Sequence, residues 1–227
     1  MTVAAVVLAA AAGAAAGLIL TSSSPSHTAS LSLDGRTSAA LKIATGTPVL
    51  DVSIARLDGT LLRVWTPAGA PVRPVLAGSA PVVLSLVRAP GGDASYPVKV
   101  VLSSAVTWSI DFAGGTQRTE ADLRGGKVGE ILVTAGSDVL DVSLPRPART
   151  LPFLLAGGVS QFELRLPGGV PARVRVGGGA SWVSVDGQSQ TGIADGTILT
   201  PPGWATAVSR FDINATAGFS RLTVSRW

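Results

Sequence analysis

The chain has 227 residues, 46% apolar and 14% charged, with 27 Gly, 15 Pro and no Cys. That apolar content excludes a disordered chain, the Gly and Pro content excludes a helical bundle, and the absence of Cys excludes disulfides, thiolate metal sites and a Cys nucleophile. A formal charge of +4, from 18 Lys and Arg against 14 acids, is too small for a dedicated nucleic-acid groove, and the few aromatics are not interleaved with the basic residues as a base-stacking platform requires.

Val3 to Leu20 carries no charge and is half Ala, just long enough to cross a bilayer as one helix. No Lys or Arg precedes it and the next is Arg36, so it lacks the basic n-region of a secretory signal. Residues 1–21 read as a single-pass membrane anchor. A cleaved signal peptide, which would leave the protein secreted, and a buried helix are the alternatives. Charge does not fix the orientation; an export role puts the remainder outside the cytoplasm. Residues 22–32 are Ser/Thr-rich and predict a flexible linker, with the only histidine, His27, solvent-exposed and chemically idle.

From Leu33 to Trp227 the pattern is β, and it repeats. Gly136-Ser-Asp-Val-Leu-Asp-Val-Ser-Leu is followed by Gly158-Val-Ser-Gln-Phe-Glu-Leu-Arg-Leu and by Gly179-Ala-Ser-Trp-Val-Ser-Val-Asp-Gly. Each copy places apolar residues four and six positions after its glycine. Further copies start at Gly46, Gly78, Gly115 and Gly218. From Gly115 to Gly179 the steps are 21, 22 and 21 residues, a period typical of stacked repeats; the outer steps of 32, 37 and 39 indicate insertions or half-repeats.

Each regular period holds two strands. After Leu123, Leu144 and Leu166 come Gly/Pro corners and then the runs Val128 to Val133, Thr150 to Leu155 and Ala172 to Val176. Alternation in Phe162-Glu-Leu-Arg-Leu and Ala172-Arg-Val-Arg-Val sends oil to one face and charge to the other. Such strands bury nothing alone, and stacking consecutive units gives one core. The predicted body, residues 33–227, is a β-solenoid or closely related coiled sheet, with a β-sandwich as the alternative. Thr200 to Ser209 breaks the pattern and predicts a loop with one helical turn, packed over an open end of the stack.

The run from Gly157 to Gly187, GGVSQFELRLPGGVPARVRVGGGASWVSVDG, resembles the C-terminal β domains of bacterial envelope-stress membrane proteins of the LiaF type. It also resembles the related "toastrack" or putative-adhesin domains. The Gly-x-Ser strand matches Gly158 to Leu166, the Pro/Gly corner Pro167 to Gly169, the R-V-x-V strand Arg173 to Val176, and the glycine turn Gly177 to Ala180. The resemblance implies a single-layer right-handed β-helix, often tethered to a membrane helix, without catalytic residues. Here the apolar segment is at the N-terminus and there is one.

Chemistry is sparse. A Ser-His-Asp triad would have to use His27, and no Gly-x-Ser-x-Gly, Walker A or His-Glu-x-x-His pattern occurs. Glu120 and Asp122 share an outward face and are the one carboxylate pair a carbohydrate-active enzyme could use; Asp138 and Asp141 do not share one. No cofactor is expected. Arg146, Arg149, Arg165, Arg173 and Arg175 are the candidate contacts to an anionic surface, either lipid headgroups or wall polymer. Trp182 is a candidate partner contact. The sequence therefore predicts a non-catalytic, membrane-tethered, extracytoplasmic module for binding, sensing or adhesion at the cell envelope, its partner a lipid surface, a wall polymer or an envelope protein. A self-assembling structural element is the second reading.

Overall fold

The computed structural model describes residues 26–90 and 96–227. The expected N-terminal helix lies outside them. The alternation that leaves each strand with one oily face is resolved by coiling: each turn of the chain lays one strand in each of two facing sheets. The turns are β2 (Ser38–Ile43) with β3 (Thr47–Ala55), β6 (Val82–Arg88) with β7 (Pro97–Ser103), and β8 (Thr107–Phe112) with β9 (Thr116–Asp122). They continue as β10 (Lys127–Val133) with β11 (Ser137–Ser143), and β12 (Thr150–Leu155) with β13 (Val159–Leu166). The last two are β14 (Ala172–Val176) with β15 (Ala180–Val185), and β18 (Arg210–Ala215) with β19 (Phe219–Arg226).

The second strands of these pairs make sheet A and the first strands make sheet B. Neighbouring turns pair in parallel throughout. A Greek-key sandwich is antiparallel, so the coil is the correct reading of the two. The stacking order departs from chain order at both ends. Sheet A runs β7, β3, β9, β11, β13, β19, β15, and sheet B runs β6, β2, β8, β10, β12, β18, β14. The first and last turns of the chain are thus each one place in from the end of the stack.

Antiparallel strands close the two ends. Beyond β7 lie β4 (Thr60–Thr66) and then β1 (His27–Ser32), and beyond β6 lies β5 (Val72–Ala77). Beyond β15 lies β16 (Gln188–Ile193), and beyond β14 lies β17 (Thr197–Leu199).

Three sequence expectations are corrected here. The linker ends earlier, because Ala29 and Leu31 alternate with polar neighbours and pair with Val64 and Leu62, so His27–Ser32 is a strand. The copy at Gly78 is not equivalent to the other six: it opens β6 of sheet B, and the matching strand in sheet A is β7, with Val98, Val100 and Leu102 facing inward. The segment 200–209 makes its single α-type turn, with Ala207 N–H donating to the Gly203 carbonyl. It packs beside β14 and β18, while β16 and β17 cover the end of the stack.

The core is a set of columns. In sheet A, Val98, Leu50, Thr119, Leu140, Phe162, Leu222 and Val183 stack in register, all buried. Facing them from sheet B are Val82, Leu41, Ile110, Ile131, Phe153, Ile213 and Val174. Phe153 and Phe162 meet across the interior with ring centroids 5.2 Å apart. Fully burying a side chain of this size is worth about 1.5–3 kcal/mol, so the stacked interior supplies the main stabilisation. Trp108 is also fully enclosed, its indole N–H donating to the Ser103 carbonyl at 2.8 Å.

Candidate binding surfaces

The repeat glycines lie at the corner where the chain leaves sheet B for sheet A. Registered strands align Gly46, Gly115, Gly136, Gly158, Gly218 and Gly179 in one row. Backbone bonds tie successive levels at that row: Thr47, Thr116 and Ser137 each donate an N–H to the glycine carbonyl of the next level at 3.1 Å. A side chain at Gly46 would meet the Gly115 carbonyl oxygen at 2.8 Å, so the close approach of the two levels requires glycine there. The result is a shallow groove of about 910 Å³ along the stack, floored by glycine and rimmed by Thr116, Ser137, Ser160 and Ser220. At a strand spacing of about 4.8 Å, its six levels extend about 24 Å. Two of its rim hydroxyls bond within the protein: Thr116 Oγ1 lies 2.8 Å from Thr119 Oγ1 and 2.9 Å from Ser137 Oγ, which donates to the Val139 carbonyl, while Ser160 and Ser220 are exposed.

The outer face of sheet A carries a row that was not anticipated. Asp51, Glu120, Asp141 and Glu163 occupy the same position on four adjacent strands. Like charges at that spacing repel, and flanking cations offset them. Arg165 bridges Asp141 at 2.6 Å and Glu163 at 3.0 Å, Arg118 lies 3.9 Å from Glu120, and Lys99 lies 3.9 Å from Asp51. Asp122, one position pair further along, receives two bonds from Arg124 at 2.8 and 2.7 Å. Those bonds hold the Asp122 carboxyl below its ordinary value, against the opposing effect of partial burial. Glu120 and Asp122 thus each sit beside an arginine on an open strand surface. The signal for the row was in the sequence: it is the fifth residue after Gly46, Gly115, Gly136 and Gly158.

The five candidate arginines are distributed over the molecule. Arg165 is on the outer face of sheet A. Arg173 and Arg175 are on the outer face of sheet B, where Arg173 makes a bidentate pair with Asp212 at 3.0 and 2.7 Å and Arg175 approaches it at 3.4 Å. Arg146 and Arg149 lie in the connection from β11 to β12, with Arg146 donating to the Gly168 carbonyl. Trp204, from the irregular segment, is held against Arg173 and Arg210, whose guanidinium carbons lie 3.6 and 4.5 Å from its ring centroid. Its indole N–H donates to the Phe211 carbonyl at 2.8 Å. Trp182 is half-buried, with Arg221 over its ring at 5.0 Å. Among the described residues no three of His, Asp and Glu gather as a metal-ligating group.

No protein-family model matches the chain, and no curated protein does. Among solved structures it is similar to a putative cell adhesion protein from Clostridium sporogenes ATCC 15579, with a TM-score of 0.65 at 13% identity, covering 89% of this chain and 99% of that one. A putative adhesin from Bacteroides fragilis NCTC 9343 aligns over 88% of this chain and 97% of that one, with a TM-score of 0.31 at 8% identity, too low to carry an argument. The first likeness shows that this chain has the fold of the clostridial protein. The resemblance to adhesin-type β domains at residues 157–187 therefore holds at the level of the fold.

Proposed function

We propose that the protein is a non-catalytic, membrane-tethered module that presents its β body outside the cytoplasm as an adhesin-like binding element of the cell envelope. The observation that carries this reading is the fold shared with the putative cell adhesion protein from Clostridium sporogenes over almost the whole of both chains. The uncharged run from Val3 to Leu20 supports the tether, since it leads within a few residues into β1 at one end of the stack. The coil is read as the right-handed, single-layer β-helix that the family resemblance implies. Its partner is an envelope polymer or protein met along the open faces and ends of the stack.

The test is localisation followed by attachment. The full chain with a C-terminal epitope is expressed in a bacterial host and compared with a chain lacking residues 1–25. The full chain is expected in the membrane fraction, with its epitope digested by protease added to intact spheroplasts. Cells displaying it are expected to be retained on immobilised cell-envelope fragments above the empty-vector level. An epitope found in the soluble cytosolic fraction, or retention equal to the control, overturns the reading.

A further inference from the structure

Of the four strands at the edges of the two sheets, β16 differs from the rest. Sheet B ends on β5, which carries Arg73 and Pro74 in its middle, and on β17, which is three residues long. Charge, proline and shortness all discourage a further strand. Sheet A begins at β1, which also lacks Lys, Arg, Asp, Glu and Pro but follows directly on the N-terminal segment, and ends at β16, which is flanked by no such segment. The sequence of β16, Gln188-Ser-Gln-Thr-Gly-Ile, has no charge and no proline, and Gln188 to Gly192 are exposed.

The hairpin geometry decides which backbone groups are free. Asp186 and Gly187, at φ 51° and 83°, make the two-residue turn from β15 into β16, so Val185 and Gln188 are its hydrogen-bonded closing pair. Bonding alternates along an antiparallel pair, so Gln190 also exchanges its bonds with Val183 of β15. The N–H and C=O groups of Ser189 and Thr191 consequently point to the open side.

The charge distribution indicates the occupant. Two copies of a chain with net charge +4 repel, yet between Arg175 and Arg210 there is no Lys or Arg. Two acids lie in that stretch: Asp186, held by Arg226 at 2.6 Å, and Asp195, exposed in the turn between β16 and β17. At the same end of the stack β17 exposes one large apolar side chain, Ile198 at 57%. Depletion of charge marks the centre of protein interfaces, and an uncharged strand paired with itself puts no like charges opposite each other.

We propose that β16 pairs antiparallel with β16 of a second copy of this chain about a twofold axis, joining two molecules at the ends remote from β1 into one continuous sheet. A joint of six residues per copy is weak singly and gains strength when many copies face many. That such a pair would span two envelopes rests on the tethered reading above; the pairing itself does not.

The chain has no cysteine, so single substitutions can report the register. The full chain in detergent micelles is prepared as Gln188→Cys, Ser189→Cys, Gln190→Cys and Thr191→Cys, each exposed to mild oxidant. The expected result is a disulfide-linked dimer for the position nearest the axis and a falling yield on either side. Sedimentation velocity of the unsubstituted chain is expected to show a monomer–dimer equilibrium. Thr191→Pro, which removes one outward donor, and Gln190→Lys, which keeps all donors but opposes like charges, are each expected to weaken it at least tenfold with the melting midpoint unchanged. A monomer at every concentration, a dimer indifferent to both substitutions, or open-ended oligomers (β16 meeting β1) would each overturn the proposal. Localisation is read separately by fractionation, so the two readings fail independently.

Discussion

At Gly157 an added methyl group has no room, because the backbone of Ala135 on the adjacent level occupies its place, while at Gly115 the nearest atom would be the Gly136 carbonyl oxygen at 3.6 Å. Gly157→Ala is therefore expected to cost about 2–3 kcal/mol, and Gly115→Ala to stay within about 1 kcal/mol of the unsubstituted chain, measured by urea unfolding. Composition marks both as corner glycines; only the level spacing separates them. Asp122 gives a pH signature. Its folded-state pKa is lowered by the bonds from Arg124, so its stabilising contribution is present above the unfolded value of about 3.9 and is lost as pH falls through the folded value. Asp122→Asn is expected to flatten that part of the fall in melting midpoint below about pH 4, by a small amount because both partners are half exposed. The acidic row was within reach of the sequence, since Asp51, Glu120, Asp141 and Glu163 share one offset from their glycines. Their partners were harder to find. Arg118 and Glu120 are near in sequence, but Arg165 meets Asp141 only because β13 lies beside β11.

At the scale of the strands, the displaced turns make the last strand a structural insert. β19 lies between β13 and β15, with Leu222 flanked by Phe162 and Val183 and fully buried. Leu222→Ala is expected to cost about 2–5 kcal/mol in denaturant unfolding, as much as Leu140→Ala in the middle of the stack, although Leu222 is close to the C-terminus. The strands from Gly115 to Gly187 were legible nearly to the residue, because alternation and Gly/Pro corners coincide there. The stacking order was not. The steps of 32, 37 and 39 residues signalled irregularity, but alternation states which face is oily and is silent about which neighbour covers it. Gly78 illustrates this: Val82, Leu84 and Leu86 alternate as they would in either sheet, and only pairing with Leu41 and Ile43 assigns them to sheet B.

For the whole molecule, the same arrangement makes the two ends unequal in how they assemble. The strands β14 to β17 are attached to the stack through β18 and β19, which follow them in the chain. A chain truncated after Ser209 is expected to leave residues 172–209 open to protease while β8 to β13 keep more protection, as limited proteolysis with mass mapping would show. If residues 172–209 resisted digestion as in the full chain, the end would have another support. This division into a stack and its late-filled gap follows from long-range pairing, which no local pattern in the chain encodes. It also bears on tension. The N-terminal β1 has a single hydrogen-bonded neighbour, whereas β19 is gripped on both flanks. A load applied between His27 and Arg226 should therefore begin to unravel the protein at His27 and leave β19 clamped, so the part that yields first can re-form without disturbing the rest.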